Sequence, residues 1–292
     1  MKLRLLQATA FLALAFAFVI PAKADAKPQN LLKDFNQDRK TDILWYQPSS
    51  GRVNAWLLDG TKVVSNPDLS WNVPGDSGWE IKGTGDFNQD GKTDILWYQP
   101  SSGRVNAWLL DGTKVVSNPD LSWKVPGDSG WEIKGTGDFN QDGKTDILWY
   151  QPSSGRVNAW LLDGTKVVSN PDLSWNVPGD SGWEIKGTGD FNQDGKTDIL
   201  WYQPSSGRVN TWLLNGTKVV SNPDLSWKVP GDSGWEIKGT GDFNQDGKTD
   251  ILWYQPSSGR VNAWLLNGTK VVSNPDLSWK VPGDSGWEIV SR

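Results

Sequence analysis

The stretch Gly85-Asp-Phe-Asn-Gln-Asp-Gly-Lys-Thr-Asp-Ile-Leu-Trp-Tyr-Gln99 places Asp86, Asn88, Asp90 and Asp94 at positions 1, 3, 5 and 9 of a loop, with Gly91 at position 6. Oxygen-bearing side chains at this spacing can converge on a hard cation, with the backbone carbonyl of Lys92 supplying position 7. Gly91 permits the sharp turn that brings the two halves of the loop together. Position 12 is Trp97 where an EF-hand needs a bidentate glutamate, and the dense apolar run from Ile95 to Gln99 favours strand over helix. The loop therefore joins two strands.

Asp34, Asp86, Asp138, Asp190 and Asp242 head five near-identical units 52 residues apart. A period of this length marks a repeat architecture. The copies differ at few positions: Arg39 replaces Gly91, Thr211 replaces Ala55, Asn215 and Asn267 replace Asp59, and Asn72 alternates with Lys124. Within a unit the pattern is β throughout. Trp79 to Phe87 reads as a first strand, whose Gly83 and Gly85 allow close approach near a crowded axis. Ile95 to Gln99 is a second, and Pro100-Ser-Ser-Gly103 a turn. Arg104 to Leu110 is a third, with Asp111-Gly112 as the hairpin signal into a fourth, Thr113 to Ser117. Asn215-Gly-Thr217 has the form of a glycosylation sequon, but hairpin chemistry accounts for it. A Pro/Gly segment, Asn118 to Gly130, crosses to the next unit.

Four strands per unit and five units predict an all-β fold, a five-bladed β-propeller occupying residues 27–292 as one domain. The first copy begins with Asn30-Leu-Leu-Lys and lacks the Trp-Glu-Ile strand, while the last runs on into a surplus Trp287-Glu-Ile-Val290. The C-terminal strand is expected to complete the first blade and lock the ring. An open solenoid would need polar caps, and neither terminal copy resembles one.

Lys2 and Arg4 precede an apolar run from Leu5 to Ile20, followed by small-residue cleavage patterns at Ala22-Lys-Ala24 and Ala24-Asp-Ala26. Residues 1–26 read as a signal peptide, which implies a secreted or periplasmic protein with no membrane span in the mature chain. Cutting after Ala26 removes Lys2, Arg4, Lys23 and Asp25, a net +2, and takes the formal charge from −5 to −7. Such a chain is a poor ligand for nucleic acid. With no cysteine and no histidine, disulfides, the usual zinc ligands, the Ser-His and Cys-His pairs and the commonest general base are all missing. A non-enzymatic role is expected.

The motif G-D-F-N-x-D-G-x-x-D-I-L resembles the FG-GAP/VCBS repeat of integrin α-subunit propellers and many bacterial secreted proteins. The resemblance covers all five copies. It implies that the loop joins the first and second strands of a blade and binds calcium. The implied ligands are Asp86, Asn88, Asp90 and Asp94; Asp138, Asn140, Asp142 and Asp146; Asp190, Asn192, Asp194 and Asp198; and Asp242, Asn244, Asp246 and Asp250. The first copy keeps Asp34, Asn36, Asp38 and Asp42 but carries Arg39 where the others have glycine, with a positive charge beside the ion and a positive-φ penalty. The metal-free alternative is an Asx-rich turn. Calcium here would be a structural staple that offsets the mutual repulsion of three carboxylates.

There are 20 tryptophans, four per unit. Trp97 and Trp108 lie inside strands and read as core, and Trp131 as packing between blades. Trp123 lies in the crossing segment near Asp128 and Ser129. As an aromatic face beside polar groups it suits the C–H face of a sugar, or else it plugs the joint between blades. Five equivalent ligand sites are thus expected around Trp71, Trp123, Trp175, Trp227 and Trp279 with Asp76, Asp128, Asp180, Asp232 and Asp284. The partners that this reading offers are glycans, or alternatively extracellular proteins bound by an adhesion or scaffold module.

Overall fold

The structure is a computed structural model and describes residues 33–290; the signal-peptide reading of residues 1–26 lies outside them. Five antiparallel blades form a ring, each of four strands, with a further strand in the second blade, Asp120–Lys124, that pairs with its third. In the second blade the strands are Glu80–Gly85, Asp94–Gln99, Arg104–Asp111 and Lys114–Ser117, in that order from the axis outwards. The third, fourth and fifth blades repeat this order. The first blade takes its inner strand from the other end of the chain: Glu288–Ile289 pairs antiparallel with Ile43–Gln47 through Trp45 to Ile289 and Tyr46 to Glu288. The ring is closed by its C-terminal strand, as the sequence predicts.

The differences from the sequence reading are local and have physical causes. The inner strand stops at Gly85, because the N–H of Phe87 bonds to the side chain of Asp94 instead of to a ladder partner. Asp94, expected in the loop, already pairs with Gly85. The outer hairpin turns one residue later than Asp111-Gly112 suggests: Asp111 pairs with Lys114, so the loop is Gly112-Thr113. Gly112 has a φ of 64°, which fits a type II′ turn with glycine at its first central position. The crossing segment is not free. Ala107 donates to the carbonyl of Pro119 and Val125 to that of Gly103, so the segment runs back along the third strand before leaving for the next blade.

The core lies between blades. Leu44, Tyr46, Val53 and Ala55 of the first blade pack against Ile95, Trp97, Trp108 and Leu110 of the second. This explains the unbroken apolar run Ile95 to Tyr98, since a blade is covered on both faces. Thr211, in place of alanine, is fully buried and is accommodated because its hydroxyl donates to the Pro223 carbonyl at 3.3 Å. Near the axis Gly85 admits the neighbouring blade, since a Cβ there would lie 2.4 Å from the Thr145 methyl.

Two sets of hydrogen bonds tie each blade to the next all the way round. The N–H at the head of each acidic loop donates to a threonine hydroxyl of the following blade, from Asp34 to Thr93 through to Asp242 to Thr41, at 2.9–3.0 Å. Serines of the crossing segments accept from the outer strands, from Val115 to Ser70 through to Val63 to Ser278. Both sets cross the seam between the fifth and first blades without a break. Among the described residues no helix is long and apolar enough to cross a membrane.

Candidate functional site

The acidic loops and the aromatic crossing segments lie at opposite ends of the blades. An inner strand begins beside Trp131 and ends at the acidic loop, so the antiparallel order returns the second strand to the tryptophan end. Arg156 starts the third strand there, and Asp163 ends it beside the loop.

In the second blade's loop both Asp86 oxygens accept backbone N–H groups, from Asp90 at 3.0 Å and Gly91 at 2.8 Å. Asn88 accepts from Asp90, and Asp90 accepts from Lys92 at 2.9 Å. These bonds form nested Asx turns. Gly91 has a φ of 86°, and Arg39 is held at 68° at the equivalent point, so the first copy carries the expected backbone strain.

Asp94 is placed differently. It is fully buried, and its two oxygens accept from Phe87 at 2.9 Å within the loop and from Leu110 at 2.9 Å on the third strand. Burial pushes its pKa up to about 7, helped by the charges of Asp90 and Asp86 and opposed by the two N–H bonds. The same placement recurs at Asp42, Asp146, Asp198 and Asp250. Sequence spacing puts these five residues among the metal ligands, and the geometry adds that they fasten loop to strand. As it stands, each loop satisfies its oxygens internally. Each of these oxygens accepts an N–H through one lone pair and keeps another, so the turn that holds the loop leaves acceptor capacity for a cation.

At the other end of the ring, the four tryptophans of a unit length converge. A cavity of about 420 Å³ opens between the third crossing segment and the fourth blade, lined by Trp175, Trp183, Trp201 and Trp212 with Arg208 and Asn210. The equivalent cavity one blade earlier, about 320 Å³, has Trp123, Trp131, Trp149 and Trp160 with Arg156 and Asn158. Trp175 is 41% exposed at the rim and meets Trp212 edge to face at 5.9 Å. Trp123 stands in the same relation to Trp160, so the rim tryptophans both touch the next blade and present an open face. Trp201, almost fully buried, tilts against Trp212 at 4.9 Å. Its indole N–H is buried and has no hydrogen-bond partner among the described residues, and the same holds for Trp45, Trp97, Trp149 and Trp253.

The polar wall is pre-set. Arg208 lies over Trp183 at 5.2 Å and pairs with Asp224 at 2.7 Å. Asn210 donates to the Asn222 carbonyl at 2.6 Å and to Asp224 at 3.0 Å. Sequence reasoning missed Arg156, Asn158, Arg208 and Asn210. Their signal was an asparagine held in the middle of an apolar strand in every copy, a residue depleted in strands. It also misplaced a carboxylate. Asp128 does not line the cavity; it belongs to a 3-10 turn, Gly127–Ser129, near Tyr98, whose pKa is raised by burial first and then by the charges of Glu80 and Asp128. Asp76, Asp180, Asp232 and Asp284 occupy the same turn in their copies.

Fold and repeat together define a five-bladed β-propeller with binding-module architecture. The FG-GAP-like repeat matches residues 34–97, 86–149, 138–201 and 190–253, and the chain belongs to that family. No curated protein matches it. Among solved structures, a luciferin-regenerating enzyme is 9% identical at a TM-score of 0.46, covering 82% of this chain and 77% of its own. An auxiliary nutrient binding protein from Bacteroides ovatus is 11% identical at 0.44, covering 78% and 52%. A protein of unknown function from Bacteroides caccae is 15% identical at 0.41, covering 80% and 73%. Likenesses this loose carry no argument about function.

Proposed function

We propose that the protein is an exported, non-enzymatic, multivalent glycan-binding propeller whose sites are the two cavities described between crossing segment and blade and the equivalent positions of the other copies. The observation that supports this is the convergence of four tryptophans, one of them 41% exposed at the rim, on one open cavity with an arginine and an asparagine in its wall. A sugar needs an aromatic plane for its C–H face and directional partners for its hydroxyls. Trp175 offers the plane, and Arg208 and Asn210 offer polar groups. The volumes fall at the low end of small-molecule sites, ~300–1,000 Å³, and suit one or two sugar rings. A concave, polar-walled site favours a sugar over the protein-partner alternative, which would call for a flatter apolar patch.

Each site should be weak, since a half-open cavity leaves much of the ligand wet. Five copies on one face compensate, because a dense glycan surface engaging several of them gains on the order of 10² or more in avidity. Titration with monovalent sugars should show weak binding with a stoichiometry near the blade number. Replacing Trp71, Trp123, Trp175, Trp227 and Trp279 by alanine should abolish it while the ring still folds. If the parent protein binds no glycan, the protein-binding reading replaces this one.

Calcium belongs to the same proposal as a staple at the opposite face, with Asp86, Asn88, Asp90 and Asp94 and their equivalents as the side chains that would hold it. An ion present at about 100 times its dissociation constant would add ~2.7 kcal/mol per occupied loop. Chelator should therefore lower the melting temperature markedly. Asp90→Ala should reduce the calcium-dependent shift, and Asp38→Ala should reduce it less, because Arg39 already burdens that loop. Identical melts with calcium and with chelator would leave the loops as Asx turns alone.

A further inference from the structure

The cavities repeat one another except at the residue after the rim tryptophan. Lys124 lines the cavity against the third blade, and Asn176 lines the one against the fourth. The remaining copies carry Asn72, Lys228 and Lys280 at this position. The other cation of the cavity is already matched: Arg156 pairs with Asp172 at 2.6 Å and Arg208 with Asp224 at 2.7 Å. Lys124 makes no ion pair among the described residues, and Asp120, four positions before it, is occupied by Arg104. A lysine cavity therefore carries an uncompensated positive charge at its rim, and an asparagine cavity carries none.

We infer that the ring holds two kinds of site: those at Lys124, Lys228 and Lys280 select a sugar ring with an anionic substituent, and those at Asn72 and Asn176 a neutral ring. The inference rests on the glycan reading above and specifies its ligand class. Lys124 is exposed. A solvent-screened ion pair of this kind changes affinity by about two- to fivefold, an effect that salt removes. Because the sites act together on a surface, such a factor would compound over three of them.

The test uses matched pairs of a neutral hexose and its uronic acid, titrated at low and high salt with the tryptophan indole N–H resonances as readout. The parent should prefer the uronic acid by about two- to fivefold at low salt and lose the preference at high salt. The combined variant Lys124→Asn, Lys228→Asn, Lys280→Asn carries only the residue that the chain itself uses at 72 and 176, so its folding is not at risk. It should melt as the parent does and bind hexose and uronic acid alike, with no acid preference at either salt. The reverse variant, Asn72→Lys with Asn176→Lys, should extend the preference to all sites. Hexose binding with no acid preference in the parent, or the same preference in parent and triple-asparagine variant, would overturn the charge split and leave the glycan reading standing. No shift with any sugar would overturn both.

Discussion

Deleting residues 287–292 should open the ring, lower the melting temperature steeply and convert a well-behaved protein into chain-swapped oligomers or aggregates. The segment removed is short, but what it covers is large. Ile289 is 5% exposed within the cluster of Ile43, Trp45 and Trp56, and Trp287 and Val290 pack at the edges of the neighbouring clusters. Val290 also donates to the Leu44 carbonyl at 3.0 Å, and Arg52 covers the Trp287 ring at 5.3 Å. Burying one large apolar side chain is worth ~1.5–3 kcal/mol and each ladder bond ~0.5–1.5 kcal/mol. Together they amount to roughly 5 kcal/mol, a large part of the ~5–15 kcal/mol that holds a domain folded. The loss also uncovers the inner edge of Ile43–Gln47, an unpaired row of N–H and C=O groups that invites another chain. Light scattering and thermal melts of the truncated chain check this. A monomer with an unchanged melt would mean that the interblade bonds from Asp242 to Thr41 and from Val63 to Ser278 hold the seam without the strand.

The architecture was legible in the sequence because its determinants are local and repeated. Strand spacing, the Gly at position 6 of the loop and the surplus Trp-Glu-Ile at the end can each be read within one copy. The cavity was not, because it takes Trp123 from one unit and Trp131, Trp149, Arg156, Asn158 and Trp160 from the next. Proximity in sequence pointed instead to Asp128, five residues from Trp123, and the 3-10 turn between Pro126 and Gly130 carries that carboxylate out of the cavity lining. The four tryptophans per unit were visible as a count, but assigning Trp97 and Trp108 to the core hid their second role. Core and cavity wall are here the same rings, buried on one side and lining the site on the other. Asp94 is the converse case: its residue type and spacing read as a ligand set, and the structure adds a commitment of both oxygens to backbone N–H groups that spacing alone does not show.

That commitment gives the second large effect. Asp94→Ala should cost far more stability than Asp90→Ala in buffer free of divalent ions, although both remove one carboxylate from the same loop. The alanine leaves the N–H groups of Phe87 and Leu110 buried without acceptors, at ~1–3 kcal/mol each. Asp90 is exposed and its N–H partner Lys92 can turn to water. A loss of ~3 kcal/mol corresponds to a fall of roughly 6–12 °C for a domain of this size. The pH dependence identifies the cause. With its pKa raised by burial to about 7, folded Asp94 holds its proton more tightly than the unfolded chain, whose carboxyl titrates near ~3.9. Its contribution is therefore most favourable below about pH 4 and declines as the pH rises towards 7. Without divalent ions the parent should lose stability across that window, and each alanine at positions 42, 94, 146, 198 or 250 should flatten the slope. Calcium supplies the third arm of the experiment. If Asp94→Ala abolishes a calcium-dependent gain in its own blade but costs no more than Asp90→Ala without the ion, the carboxylate serves the metal first. If the variant is strongly destabilised with or without calcium, the loop is fastened to the third strand by Asp94 itself, and the ion adds to a joint that the chain has already made.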